Sequence, residues 1–159
     1  MLSSHEGFSA ALSRPDPVQT LIARSEAGHG ALMRGDLAGY QAAITMSDDF
    51  TIMAPFGGPV SHRASFTPER MAAMAAYFRN GSFAQEVVET YASADMVVLV
   101  LIERQHVEVG GLPAQDWPLR VTLVYTRAGE GWELAHRHAD PLVAPISLEQ
   151  AAALARGEG

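Results

Sequence analysis

The chain contains no cysteine. Disulfides, thiolate metal sites and cysteine nucleophiles are excluded with it. Positive charge is also scarce: eleven Lys and Arg stand against eighteen Asp and Glu, a formal net charge of −7. That sign repels phosphate backbones and no basic run offsets it, so nucleic acid is not an expected partner. Long apolar runs are missing too. The longest, residues 96 to 102, falls far short of the roughly twenty residues a membrane span needs. The opening MLSSHEGFSAAL lacks the basic and apolar regions of a secretory signal. The expectation is a cytoplasmic protein without a membrane partner. No phosphate-binding glycine loop, nucleophile elbow or helical two-His zinc motif occurs, and Gly110-Gly111 reads as a hairpin turn.

What is present suits one domain. The chain has 159 residues and 48% of them are hydrophobic, enough for a real core. Residues 1 to 13 are small and polar and read as a loose arm, leaving 14 to 159 as the domain. Asp16-Pro17 opens a helix with a cap followed by proline, and Gly35 stops it. Asp36 caps a second helix over residues 37 to 45, with Leu37, Tyr40, Ala43 and Ile44 on one face. Ser47-Asp48-Asp49 breaks it, and a short strand follows over 50 to 53. Thr67-Pro68 opens a third helix that runs to about Arg79, with Asn80-Gly81 as its stop. The period then changes to two. Strand-like stretches cover residues 84 to 91, 96 to 109, 117 to 127 and 132 to 140, joined by short turns, as an antiparallel meander requires. Ser147 and Gln150 have capping-box spacing for a last helix. Helices segregated from a meander indicate an α+β domain.

One feature of the meander points to a partner. Val97, Leu99 and Leu101 share one face, and Val98, Val100 and Ile102 share the other. A sheet with one wet face alternates apolar with polar instead. The second apolar face needs a cover, which a homodimer supplies. The rival cover is the C-terminal helix.

The densest polar cluster is Trp132-Glu-Leu-Ala-His136-Arg137-His138-Ala-Asp140. Strict alternation puts Trp132, Leu134, His136, His138 and Asp140 on one face, with successive members roughly 7 Å apart. His136, His138 and Asp140 are therefore the candidate catalytic residues, since histidine titrates near neutrality and Asp can orient it. A His-x-His metal site completed by Asp140 or His106 is a second reading. Structural hydrogen bonding at a strand end or an interface is a third. Arg120 is a candidate grip for an anionic ligand, or else the partner of Glu103, Glu108 or Asp140. His62 and Arg63 sit in a loop. Tyr40, Phe50, Phe56, Tyr77 and Phe78 read mainly as core aromatics, with Tyr40 the best candidate for a phenol facing a ligand. His5 and His29 carry no signal.

Two stretches resemble a known family. Gly35-Asp36-Leu-Ala-Gly-Tyr40, with Ser47 to Pro55 and Gly57-Gly58-Pro59, resembles the front half of SnoaL-like proteins of the nuclear transport factor 2 superfamily. Residues 120 to 127 and 132 to 140 resemble the back half, and the likeness spans about residues 16 to 142. It implies a cystatin-like cone, an α+β fold with helices packed in a curved antiparallel sheet and a small-molecule pocket at the mouth. The superfamily includes ketosteroid isomerases, scytalone dehydratase, limonene epoxide hydrolase, polyketide cyclases and association domains. Its enzymes work by acid–base chemistry without a cofactor, and none is expected here. The association domain of calcium/calmodulin-dependent kinase II has a similar ending. There, an Arg on the strand before the Trp strand lines the pocket, which makes Arg120 its counterpart; a further Arg follows the last His, where this chain has Ala139. If the inner face is the one that carries such an Arg, Arg137 points into the cavity and His136 and His138 point outward. Tyr40, Phe56, Arg120 and Arg137 are thus the candidate ligand-binding residues. The rival to a ligand-binding or enzymatic role is a non-catalytic association module with a structural His cluster.

Overall fold

The computed structural model describes residues 15 to 159; the expected arm, residues 1 to 13, lies outside them. Helix α1 (Pro17–Met33) starts where expected: the Asp16 carboxylate accepts from Val18 N at 3.0 Å and Pro17 fills the first helical position. Helix α2 (Leu37–Ala43) is held by Asp36, which accepts from Gly39 N at 2.9 Å. Strand β1 (Met46–Met53) begins four residues before the expected Phe50. Ser47-Asp48-Asp49 does not stand outside it, because the start of β1 lies beside a later strand that supplies backbone partners. Strand β2 (Ser61–His62) and a 3-10 turn lead to helix α3 (Pro68–Tyr77), capped by Thr67.

The expected extension of α3 to Arg79 is corrected. Strand β3 (Phe78–Ala92) begins directly after Tyr77. Asn80 has φ of 53°, and the β3 register shifts between Arg79 and Ser82. Asn80-Gly81 is therefore an irregularity within a long strand. Glycine is needed there because α1 crosses closely: a Cβ on Gly81 would lie 2.5 Å from Met33 O.

Strand β4 (Met96–Val109) pairs with β3, and short β5 (Gln115–Asp116) pairs with β4. The strand expected from Trp117 is divided by Pro118, which has no N–H to give a ladder, and β6 (Leu119–Ala128) starts after it. Strand β7 (Gly131–Pro141) completes the meander. The sheet order is β2-β1-β7-β6-β4-β3, antiparallel except where β1 runs parallel to β7.

The sheet's inner face carries Val97, Leu99, Leu101, Val121, Leu123 and Tyr125, packed with Leu21 and Leu32 of α1. The outer face keeps Val98, Val100, Ile102 and Val124 only half-buried. Helix α4 (Leu148–Ala155) has its capping box but no buried residue, and Leu148 is 85% exposed. The C-terminal helix is therefore not the cover of the outer face. Among the described residues no helix is long and apolar enough to cross a membrane.

Candidate functional site

The face assignment for β7 turns on one residue. Tyr125 pairs with Leu134, but Val124 pairs with His136, so Ala135 has no opposite number on β6. This bulge reverses the alternation. Leu134, before it, is fully buried on the inner side; Arg137 and Ala139, after it, are on that same side. The expectation that Trp132 and Leu134 share a face with His136, His138 and Asp140 is corrected accordingly.

Arg137 therefore enters the interior from β7. Glu103 enters it from β4 as the continuation of the Val97, Leu99, Leu101 face. The two meet in a bidentate pair, with Arg137 Nη1 donating to Oε1 at 2.7 Å and Nη2 to Oε2 at 2.8 Å. The Glu103 side chain is 1% exposed and that of Arg137 11%. Burial opposes the Glu103 charge, and the Arg137 guanidinium outweighs it, holding the carboxyl below its ordinary range. Arg137 is likewise opposed by burial and held in its charged form by Glu103.

His29 completes the cluster from α1. Its Nδ1 lies 2.8 Å from Ser25 O, a group that can only accept, so Nδ1 carries the proton. Nε2 is then the acceptor for Arg137 Nη1 at 3.2 Å. Burial, followed by the positive charge of Arg137, lowers the His29 pKa to about 4. The ring is neutral near pH 7, so its 3.9 Å approach to Glu103 Oε1 is not an ion pair. Phe83 stacks on the ring and Tyr40 meets it edge-on. Burial raises the Tyr40 pKa.

His29, Tyr40, Glu103 and Arg137 line a cavity of about 460 Å³. Leu32, Met33, Ile52, Phe66, Met74 and Phe78 supply much of its apolar wall. Phe56, edge-on to Trp117, is at the open side with Asp116 and Arg70. Arg70 is turned to Ser61 and Ser65 and lies over the Phe66 ring. The Asp116 carboxylate is turned to His106, with its Oδ1 2.8 Å from His106 Nδ1.

Tyr40, Phe56 and Arg137 line this cavity; Arg120, His136, His138 and Asp140 do not. Arg120 lies on the outer face and grips Asp140 through Nε and Nη2 at 2.8 and 2.7 Å. That hydrogen bond, chiefly, holds the Asp140 carboxyl below its ordinary range. His136 Nδ1 is 2.7 Å from Thr51 Oγ1. The proposed acid–base trio is thus directed away from the cavity, because of the Ala135 bulge. The metal reading fares no better: His106 is bonded to Asp116, Asp140 to Arg120, and among the described residues no group of three His, Asp or Glu is placed to hold an ion.

His29 and Glu103 were missed as site residues by sequence reasoning. Glu103 did leave a trace, since it is a carboxylate on the apolar parity of β4. His29 left a weaker one: it lies eight residues from Leu21 and three from Leu32, on the buried side of α1.

A family model described as SnoaL-like domain matches residues 22–144. No curated protein matches the sequence. Among solved structures, a candidate dehydratase of the NTF2-like family from Streptomyces avermitilis is 22% identical, with a TM-score of 0.66 over 80% of this chain and 96% of that one. A candidate ketosteroid isomerase from Shewanella frigidimarina is 20% identical, with a TM-score of 0.61 over 79% and 96%. A candidate calcium/calmodulin-dependent protein kinase type II association domain from Thiobacillus denitrificans is 24% identical, with a TM-score of 0.59 over 77% and 94%. At these identities the likeness shows the fold.

Proposed function

The chain belongs to the SnoaL-like domain family of NTF2-like proteins, and from that premise we propose that it binds a small, largely apolar molecule in the cavity between the sheet and its helices. The observation that carries this reading is the cavity itself: about 460 Å³, mostly apolar, with a buried charged cluster in its lining. Such a space is of ligand size, and a few fixed polar groups in an apolar wall give orientation. The test uses the neutral fluorophore N-phenyl-1-naphthylamine, which brightens in apolar surroundings. Saturable one-to-one binding is expected, and Met74→Trp, which fills the half-buried cavity wall, should abolish it without loss of the fold. Absence of saturable binding, or equal binding by the folded variant, would overturn the reading.

Binding is favoured over catalysis by the state of the interior groups. Both Glu103 oxygens accept from Arg137, and both His29 nitrogens are engaged. Arg137 also holds the Glu103 carboxyl below its ordinary pKa range, and burial together with Arg137 does the same to the His29 ring, so each is a poor base toward a ligand. One observation favours a second, enzymatic reading of the cofactor-free acid–base kind. His106 and Asp116 form a 2.8 Å pair, and Asp116 lines the cavity. Turnover by that route requires Asp116, so Asp116→Asn should abolish any activity found with a ligand of this cavity.

The outer sheet face supports a homodimer. Val98, Val100, Ile102 and Val124 are half-buried there, and Tyr91 and Met96 extend the patch with 62% and 45% exposure. Polar pairs border it, Arg120 with Asp140 on one side and Arg104 with Glu86 on the other. A second copy presenting the same face would bury the apolar centre and leave the charges at the rim.

A further inference from the structure

Arg137 has donors to spare. A guanidinium carries five N–H groups in a plane. Two of them, one on each terminal nitrogen, meet Glu103, and the outer N–H of Nη1 meets His29. The Nε–H and the second N–H of Nη2 are left. These two lie side by side on one edge of the guanidinium, because Nη2 is the amino group on the Nε–H side. Among the described residues Nε has no hydrogen-bond partner, yet the buried side-chain atoms without partners are Gln105 Oε1, Trp117 Nε1 and Tyr125 Oη. Nε is therefore accessible, and the space that Arg137 lines is the cavity.

The edge is a two-donor fork held rigid by two anchors. Glu103 fixes the end of the guanidinium and His29 fixes its outer corner, so little order is lost when an acceptor arrives. A fork of this kind takes either two acceptor atoms or one oxygen that receives both protons.

Charge decides which acceptor. Glu103 already balances Arg137, and His29 is neutral, so the cluster sums to zero. A ligand carboxylate would add a buried negative charge beside Glu103 with no cation of its own. Arg70 also lines the cavity, but it is held by Ser61, Ser65 and the Phe66 ring, and Asp116, which lines the same cavity, offsets its charge. A neutral carbonyl oxygen carries enough partial charge for the fork and avoids that penalty. The apolar wall accepts the remainder of such a molecule.

We infer that the cavity selects a neutral carbonyl compound, a ketone or carboxylic ester on an apolar body, with the carbonyl oxygen on the Nε and Nη2 edge of Arg137. This rests on the cavity being a small-molecule site. Three matched probes separate the two ideas: 2-ethylnaphthalene, methyl 2-naphthoate and 2-naphthoate, titrated at pH 7 by calorimetry. The ester should bind about tenfold or more tighter than the hydrocarbon, the scale of hydrogen bonds to a charged donor, and about tenfold tighter than the carboxylate. Equal affinity of ester and hydrocarbon, or tighter binding of the carboxylate, overturns the carbonyl assignment while leaving the binding site standing. Failure of all three to bind overturns both. Arg137→Met alone leaves Glu103 unpaired and risks the fold, so the paired variant Glu103→Leu/Arg137→Met is the informative one. It should keep the hydrocarbon affinity and lose the ester's advantage; an advantage that survives in it also overturns the assignment.

Discussion

Acidification should loosen this protein through His29 in a pH window above the one in which Glu103 acts. The ring is 3% exposed and its pKa is lowered from 6.5 to about 4, by burial first and by Arg137 second. A folded pKa below the unfolded one means that the unfolded chain takes the proton first. His29 therefore costs nothing well above pH 6.5, and stability falls as pH drops from there toward 4. A lowering of this size corresponds to about 3 kcal/mol in full, most of which has been lost by pH 4.5. Glu103 acts in a different window. Its pKa is held below 4.5, so its stabilisation is present above that value and is lost as pH falls further. The informative comparison is with His29→Gln, whose amide can donate to Ser25 O and accept from Arg137 without titrating. Urea unfolding of both proteins from pH 7.5 to 4.5 gives the difference in stability. The wild type should lose roughly 2 to 3 kcal/mol relative to the variant across that range. A difference that stays flat within about 0.5 kcal/mol would refute the neutral, buried histidine.

Other perturbations test other parts of the account. Glu103→Gln strands a buried guanidinium and should cost about 3 to 5 kcal/mol in urea unfolding; a loss below about 1 kcal/mol would mean the pair is solvated. Gly81→Ala forces a Cβ to within 2.5 Å of Met33 O, so the melting temperature should fall, and an unchanged value would contradict the close crossing of α1 and β3. Val100→Glu puts a charge at the centre of the outer apolar patch. Analytical ultracentrifugation should show a dimer for the wild type and a monomer for the variant, and a wild-type monomer at micromolar concentration would remove the dimer proposal.

Much of this fold is legible in the sequence because local chemistry and tertiary structure agree. Asp16-Pro17, Asp36, Thr67-Pro68 and the Ser147 capping box each mark a helix start that the structure also has. Agreement fails where a residue type has two uses. Asn80-Gly81 looks like a helix stop, but the same freedom of φ serves a strand irregularity pressed against α1. Pro118 hides inside an otherwise continuous strand pattern. The candidate site was less legible, for one physical reason. Alternation predicts faces only while the ladder is regular, and a single unpaired Ala135 turns His136, His138 and Asp140 outward and Arg137 inward. Nothing in the local composition of Leu134-Ala135-His136 marks a bulge. The Glu103 and Arg137 contact is also invisible locally, since it joins β4 to β7 across β6.

The central claim is that a small molecule enters the interior cavity. Methionine methyl NMR tests it directly, because Met33 and Met74 line the cavity while Met96 pairs with Thr126 on the outer face. Titration with N-phenyl-1-naphthylamine should shift the Met33 and Met74 methyl signals together, saturating at one equivalent, and leave Met96 in place. Shifts confined to Met96, or no saturable shift at all, would contradict it.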